Sequence, residues 1–287
     1  MSFTRVIVTQ WQFGTVKNQM KEETWLERIR QAHQMAINAR EYGHVVVATT
    51  DEISRPHFED TGAILLTTDL SGVGPPRRLG FQYAVELIGK NHGAIGWTEP
   101  EKATLPLNVE EICRPIEEES VDLVIPYLTD EGIRSYPTPQ IPWEHLGNYW
   151  CSIIFGRKLP IFRRDFFFAP VFFSPRAARF FTEYPGESKM PDLWDSIFCP
   201  RMDAFCSGAR IAEVETRFFY PREQAEAESR DYTMLARRAA ALNNIIGSLV
   251  TRRKYWEARG FNFGPPDLKT LQMHSAMDYP TAPVGYK

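Results

Sequence analysis

The chain has 287 residues, 43% of them hydrophobic and 24% charged, with a formal net charge of −3. These are ordinary values for a globular protein, and the length suits one large α/β domain that buries its core without metal or disulfide staples. A charge so close to zero excludes whole-molecule attraction to nucleic acid or to a membrane, so any anion site must come from a local cluster.

The chain enters a strand-like run directly after Met1–Arg5. It has no apolar stretch of signal-peptide type and none long enough to span a bilayer, so a cytoplasmic location is expected. Cys113, Cys151, Cys199 and Cys206 form no closely spaced pair and are accompanied by no histidine cluster. They are expected to be free thiols in a reducing compartment rather than zinc ligands.

The first half alternates strands and helices. Val6-Ile7-Val8 reads as a buried strand, and apolar residues at helical spacing predict a helix over 22–42, stopped by Gly43. Residues 45–48 and 63–66 are the second and third strands. A helix over 76–89, a strand over 94–97, a helix over 108–118 and a strand over 123–125 follow. Apolar strands separated by helices imply a mostly parallel central sheet flanked by helices. Ligands of such sheets lie beyond the carboxyl ends of the strands.

The second half is less regular. Residues 130–143 are expected to form a proline-rich surface loop, followed by a helix over 143–155 and an aromatic segment over 162–173. Helices over 176–183 and 193–207, a strand over 210–220 and one long helix over 224–258 are then predicted, and residues 261–287 read as an extended tail. The domain is therefore placed at 1–260, with a nucleotide-binding half (1–129) and an acceptor half (130–260).

Four places carry candidate chemistry. The turn after the third strand holds Gly72 and Gly74, which free the backbone to approach a ligand, and Arg77 and Arg78 at the start of a helix, where anions are favoured. An ordinary strand-to-helix turn with two solvated arginines is the alternative. After the fourth strand, Trp97 is followed by Glu99, Glu101 and Lys102. Carboxylates two residues apart in an extended segment share a side and suit Mg²⁺ or Mn²⁺, whereas Lys102 could meet phosphate directly. Asp195, at a helix start, is either a cap or a general base, and Arg222 either faces a diphosphate or is solvated. The Phe166–Phe168 run reads as core, with Asp165 needing a partner such as Arg163 or Arg164. The apolar stripe of the last helix, closed by Arg252-Arg253-Lys254, reads as packing against the domain, with homodimerisation or a membrane-surface role as the other options.

These pieces in this order resemble the nucleotide-diphospho-sugar transferase superfamily, of glycosyltransferase A fold, and more closely its family 2-like glycosyltransferases. The resemblance covers about residues 4–250. It implies a Rossmann-like nucleotide-binding domain that moves a sugar from a nucleotide-sugar donor to a small-molecule or glycan acceptor, without an organic cofactor. The family's Asp-x-Asp metal motif falls on Glu99 and Glu101, and its base falls on Asp195. The nucleotide would meet Thr9, Trp11 and Asp51, with Gly72, Gly74, Arg77, Arg78, Trp97, Lys102 and Arg222 around the donor. The late histidine that binds metal in several members has no counterpart between His145 and His274. Two alternatives remain open: a sugar-phosphate nucleotidyltransferase, and a non-catalytic member that binds a nucleotide or a partner protein.

Overall fold

A computed structural model describes residues 3–11, 20–49, 52–156, 165–187 and 192–265. Asp51, Arg163 and Arg164, and the tail from residue 266, lie outside the described residues.

Seven strands form one sheet in the order β3-β2-β1-β4-β6-β5-β7. They are β1 (Thr4–Trp11), β2 (His44–Thr49), β3 (Ile64–Thr67), β4 (Gly93–Trp97), β5 (Leu123–Leu128), β6 (Val171–Phe173) and β7 (Ile211–Thr216). All are parallel except β6, which runs antiparallel between β4 and β5. The strands at the centre are apolar on both sides, as a sheet covered by helices requires. Successive residues point to opposite faces. Val6, Val8, Ile95, Trp97 and Phe173 enter one core, while Ile7, Val45, Val47 and Phe172 enter the other.

The helices are α1 (Glu22–Arg40), α2 (Gly74–Ile88), α3 (Val109–Glu119), α4 (Asp130–Arg134), α5 (Ile141–Phe155), α6 (Ala178–Thr182), α7 (Asp195–Cys206), α8 (Arg222–Ser229) and α9 (Tyr232–Glu257). Two 3-10 turns, Glu52–His57 and Glu59–Thr61, bridge β2 and β3. Buried residues of α2, α7 and α9 join the first core, and those of α1 and α3 join the second.

The second half departs from expectation in three places. The segment read as a loop contains α4 and the start of α5, because Thr129 caps α4 by accepting from Gly132 N–H and Pro142 sits in the first turn of α5, where its missing N–H costs nothing. The aromatic segment ends in β6. Its place beside β4 depends on Gly96, which faces Phe172 across the pair; a Cβ there would overlap the Phe172 ring. The long helix expected over 224–258 is two helices. Asp231 breaks it by capping α9 through Thr233 N–H (3.0 Å) while its other oxygen accepts from Lys21 N–H (2.7 Å).

The basic end of α9 is turned inward. Arg252 forms two hydrogen bonds to Asp203 of α7 (2.7 and 2.6 Å), Trp256 Nε1 donates to the same carboxylate (2.7 Å), and Arg253 donates to Ile153 O (3.1 Å) and Ile154 O (2.5 Å) of α5. This cluster docks α9 on its own domain. Among the described residues no helix is long and apolar enough to cross a membrane, and Cys113, Cys151, Cys199 and Cys206 are free.

Candidate active site

The carboxyl end of β4 opens into a turn that carries three ionisable residues. Thr9 Oγ1 ties β1 to this turn by donating to Thr98 O (2.9 Å), and Lys102 N–H closes it on Glu99 O (3.2 Å). The Lys102 ammonium lies 3.5 Å from the Glu99 carboxylate and donates to Tyr136 Oη (3.3 Å). It also sits 5.0, 5.1 and 5.4 Å from the ring centroids of Phe168, Phe218 and Tyr136, so aromatic faces supply part of the solvation it lost. Glu101 pairs with Arg28 of α1, which also holds Glu228 of α8 at 2.9 Å. Burial raises the Glu99 carboxyl above its ordinary value; Lys102 opposes this and the charge of Glu101 adds to it. Glu99 and Glu101 each keep one buried oxygen with no hydrogen-bond partner.

These residues line a cavity of about 160 Å³. Its other walls come from distant parts of the chain: Tyr136, Trp143 and Glu144 from α5 and the segment before it, residues 167–169, Trp194 and Phe198, and the amino-terminal half of α9 with Arg237 and Arg238. Residues 166–170 are held by the buried guanidinium of Arg201, which donates to the carbonyls of Phe166, Phe168, Ala169 and Pro170. Asp165 finds its partners in Asn148 Nδ2 (2.8 Å) and Phe168 N–H (3.0 Å). Glu144 accepts from Gln140 (2.5 Å), yet burial and the nearby Asp165 push its carboxyl up to about 7.

The expected cluster of cations does not form as one group. Lys102 lines the cavity, but Arg77 and Arg78 are not among its walls. Arg77 is buried, donates to Ser196 Oγ (2.7 Å) and Leu193 O (3.2 Å), and lies 4.5 and 5.4 Å from the ring centroids of Trp97 and Trp194. Its burial presses the guanidinium down to about 9, against the pull of Glu99, Asp195 and Asp192. Arg78 is held by both oxygens of Asp192 (3.2 and 2.6 Å). The glycine-rich turn admits the same residue: Gly74 N–H donates to Asp192 O (3.1 Å), and a Cβ on Gly74 would overlap the Asp192 side chain. Gly72 has φ +84°, a conformation that favours glycine. Close backbone approach is thus used for chain packing rather than left open for a diphosphate.

Three further expectations are corrected. Asp195 is fully buried, with Oδ1 accepting from Leu193 N–H (2.7 Å) and Oδ2 from Tyr184 Oη (2.9 Å), so an acceptor hydroxyl has no access to it. Arg222 is largely exposed and paired with Glu226 (2.8 Å) outside the cavity. Trp11 and Trp97 are core residues at the ends of β1 and β4.

The residues that sequence reasoning missed are the second layer of charge. Glu228 accepts from Arg28 Nη1, Tyr220 Oη (2.8 Å), Gln224 Nε2 (2.9 Å) and Arg238. Burial alone would raise its carboxyl, but these donors hold it below the ordinary range. Charged residues on three different helices look solvated one helix at a time. The adjacent pair Arg237-Arg238, on a helix with an apolar stripe, was the available signal.

A scan against protein-family models finds no match, and neither does a search of the curated proteins. Solved structures do match. Glucosyl-3-phosphoglycerate synthase from Mycobacterium tuberculosis superposes with TM-score 0.55 and 11% identity, over 88% of this chain and 81% of that one. Its complex with Mn²⁺, uridine diphosphate and glucosyl-3-phosphoglycerate gives 0.54 and 10%, over 88% and 81%. Its complex with Mn²⁺, uridine-diphosphate-glucose and phosphoglyceric acid gives 0.53 and 12%, over 88% and 80%. At these identities the likeness is one of fold. Taken with the strand order and the single antiparallel β6, it shows that the chain has a fold of the glycosyltransferase A type.

Proposed function

We propose that the protein transfers a sugar from a nucleotide-diphosphate donor to a hydroxyl acceptor, with the cavity beside β4 as its acceptor end. The observation that carries this reading is the turn bearing Glu99, Glu101 and Lys102, which leaves the carboxyl end of β4 and opens on that cavity. Ligands of open α/β sheets bind at this edge. The donor nucleotide would lie along the carboxyl ends of β1 and β2, and its diphosphate would reach Lys102. Arg77 and Arg78 then act at a distance, by fixing the Trp194 segment.

In the reaction the acceptor oxygen attacks the anomeric carbon, and the bond to the diphosphate breaks with its electron pair leaving on the diphosphate. Lys102 faces the charge that develops there, and burial strengthens its effect. The hydroxyl proton passes to Glu144, a cavity carboxyl held near neutrality and therefore able to take a proton at physiological pH. Two of the solved neighbours are complexes with Mn²⁺. Two carboxylates with one unpartnered oxygen each fit such a hard cation, which is commonly bound by one or two carboxylates together with substrate phosphates. Among the described residues no group of three potential ligands occurs, so Glu99 and Glu101 would be the protein's share. When bound, the metal neutralises charge on the leaving diphosphate.

The test is release of nucleoside diphosphate across a panel of donor sugars, with and without Mn²⁺. Glu99→Gln and Glu101→Gln should each lower kcat by about 100-fold or more with the fold intact. Unchanged turnover in both removes the turn from the mechanism, and pyrophosphate release from a nucleoside triphosphate replaces sugar transfer with nucleotidyl transfer.

A further inference from the structure

The α9 side of the cavity carries charge that the protein does not balance. Glu101 and Glu228 share Arg28, Glu228 also holds Arg238, and Glu99 faces Lys102. Arg237 has no ion pair and no hydrogen bond among the described residues, and its Nη1 is buried without a partner. Nη1 of Arg238 is buried and unpartnered in the same way. Burial and the neighbouring Arg28 press the Arg237 guanidinium down to about 10, which leaves it charged at neutral pH. The remaining carboxyl on the wall, Glu144, is only partly ionised there.

A buried guanidinium donor that finds no acceptor is costly unless a ligand completes it. Two neighbouring guanidinium groups offer planar pairs of N–H donors, and the oxyanions that match them are phosphate and carboxylate. The wall between them and the aromatic side is apolar, with Met234, Ala241 and Ile245. A cavity of about 160 Å³ has room for a small acceptor molecule.

We propose that Arg237 and Arg238 form an oxyanion subsite for the acceptor, so that the hydroxyl compound used by this protein is a small molecule carrying a phosphate or carboxylate group. The assignment rests on the transferase reading above. The donor diphosphate has the same chemistry, but among the described residues the ion pairs from the β4 turn to Arg238 run through Glu101, Arg28 and Glu228. The two arginines belong to the α9 wall of the cavity and Lys102 to the β4 turn, so the diphosphate is assigned to the turn and the acceptor to α9.

The experiment titrates the full chain and its Arg237→Gln variant with inorganic phosphate and, separately, with a nucleoside diphosphate, at low and fixed ionic strength. Circular dichroism confirms that the variant is folded. Phosphate affinity should fall about tenfold in the variant while nucleoside diphosphate affinity stays within about twofold. If Arg237→Gln unfolds, Arg237→Lys keeps the charge, loses the planar fork, and should weaken phosphate about threefold. Phosphate affinity unchanged in a folded variant overturns the subsite. A loss confined to the nucleoside diphosphate gives Arg237 to the donor and overturns the acceptor assignment. Phosphate binding that depends on Arg237 in a protein that binds no nucleoside diphosphate keeps the anion site and sinks the transferase reading to which it was attached.

Discussion

Arg28 and Glu228, 200 residues apart in the chain, meet at 2.9 Å and join α1 to α8 beside the cavity. Glu228 is the only carboxylate on which both Arg28 and Arg238 converge among the described residues, and it is buried. Removing its charge leaves Arg238 without an ion pair among the described residues and Arg28 with Glu101 alone. Glu228→Gln should therefore destabilise the fold by about 3–5 kcal/mol at pH 7, measured by urea unfolding. Its carboxyl is held below the ordinary value in the folded state, so the stability it contributes is present above the unfolded value and lost as pH falls through the folded one. The gap between wild type and variant should narrow as the pH is lowered below the ordinary glutamate range and the folded carboxylate takes up its proton. A gap that persists there would show that shape, not charge, was removed.

Glu144 has the opposite linkage. Its carboxyl is raised from 4.5 to about 7, so the folded state holds a proton that the unfolded chain has released. Stability falls as pH rises from the unfolded value towards 7 and is level above it. Glu144→Gln should match wild type near pH 4.5 and exceed it by about 1–2 kcal/mol at pH 8. Each tenfold gain in proton affinity on folding is worth about 1.4 kcal/mol, and the partial exposure of the side chain reduces the total. If Glu144 also takes the acceptor proton, the rising limb of kcat near pH 7 should disappear in the same variant. A limb that survives in Glu144→Gln would remove this residue from proton transfer.

What could be read from the sequence follows a physical line. Buried strands announce themselves as apolar runs, so β1 to β5 and the alternation with helices were legible, and Glu99, Glu101 and Lys102 were legible as charged residues at the end of one of them. Strand β6 was hidden because Phe166 to Phe173 are apolar at every position and carry no period. The break between α8 and α9 was hidden because Asp231 reads equally as a helical surface residue and as a cap. Arg28, Arg237 and Arg238 were hidden for a different reason. A charged side chain on a helix is solvated by default, and only the fold brings Glu228 and the β4 turn to meet them. Arg77 and Arg78 show the converse: their position was right for a phosphate, but Ser196 holds Arg77 and Asp192 holds Arg78.

Asp195 can be separated from catalysis by measurement. It accepts from Leu193 N–H and Tyr184 Oη inside the protein, and Asn244 Oδ1 in turn accepts from the N–H groups of Trp194 and Asp195. This network fixes the entry of α7. Asp195→Asn should cost about 1–3 kcal/mol of stability while the folded fraction keeps kcat within about threefold. A general base would instead lose about 100-fold or more, and such a loss with unchanged stability would restore Asp195 as the base.

Gly96 tests whether the pairing of β4 with β6 shapes the site. It lies opposite Phe172, and its missing side chain is the space the Phe172 ring occupies. A methyl group in that place has to push the ring off β4, in a core where Phe172 is 1% exposed. Gly96→Ala should destabilise by about 1–3 kcal/mol, and Gly96→Val by more. The two strands also support opposite walls of the cavity: β4 leads into Glu99 and Lys102, and β6 continues residues 166–170 beneath Arg201. Turnover should therefore fall together with stability. Shrinking the ring in the double variant Gly96→Ala, Phe172→Leu should restore at least half of the loss, a coupling of about 1 kcal/mol that independent sites do not show. Additive losses in the double variant would mean that the ring does not bear on Gly96, and that the antiparallel strand reaches its place by some other contact.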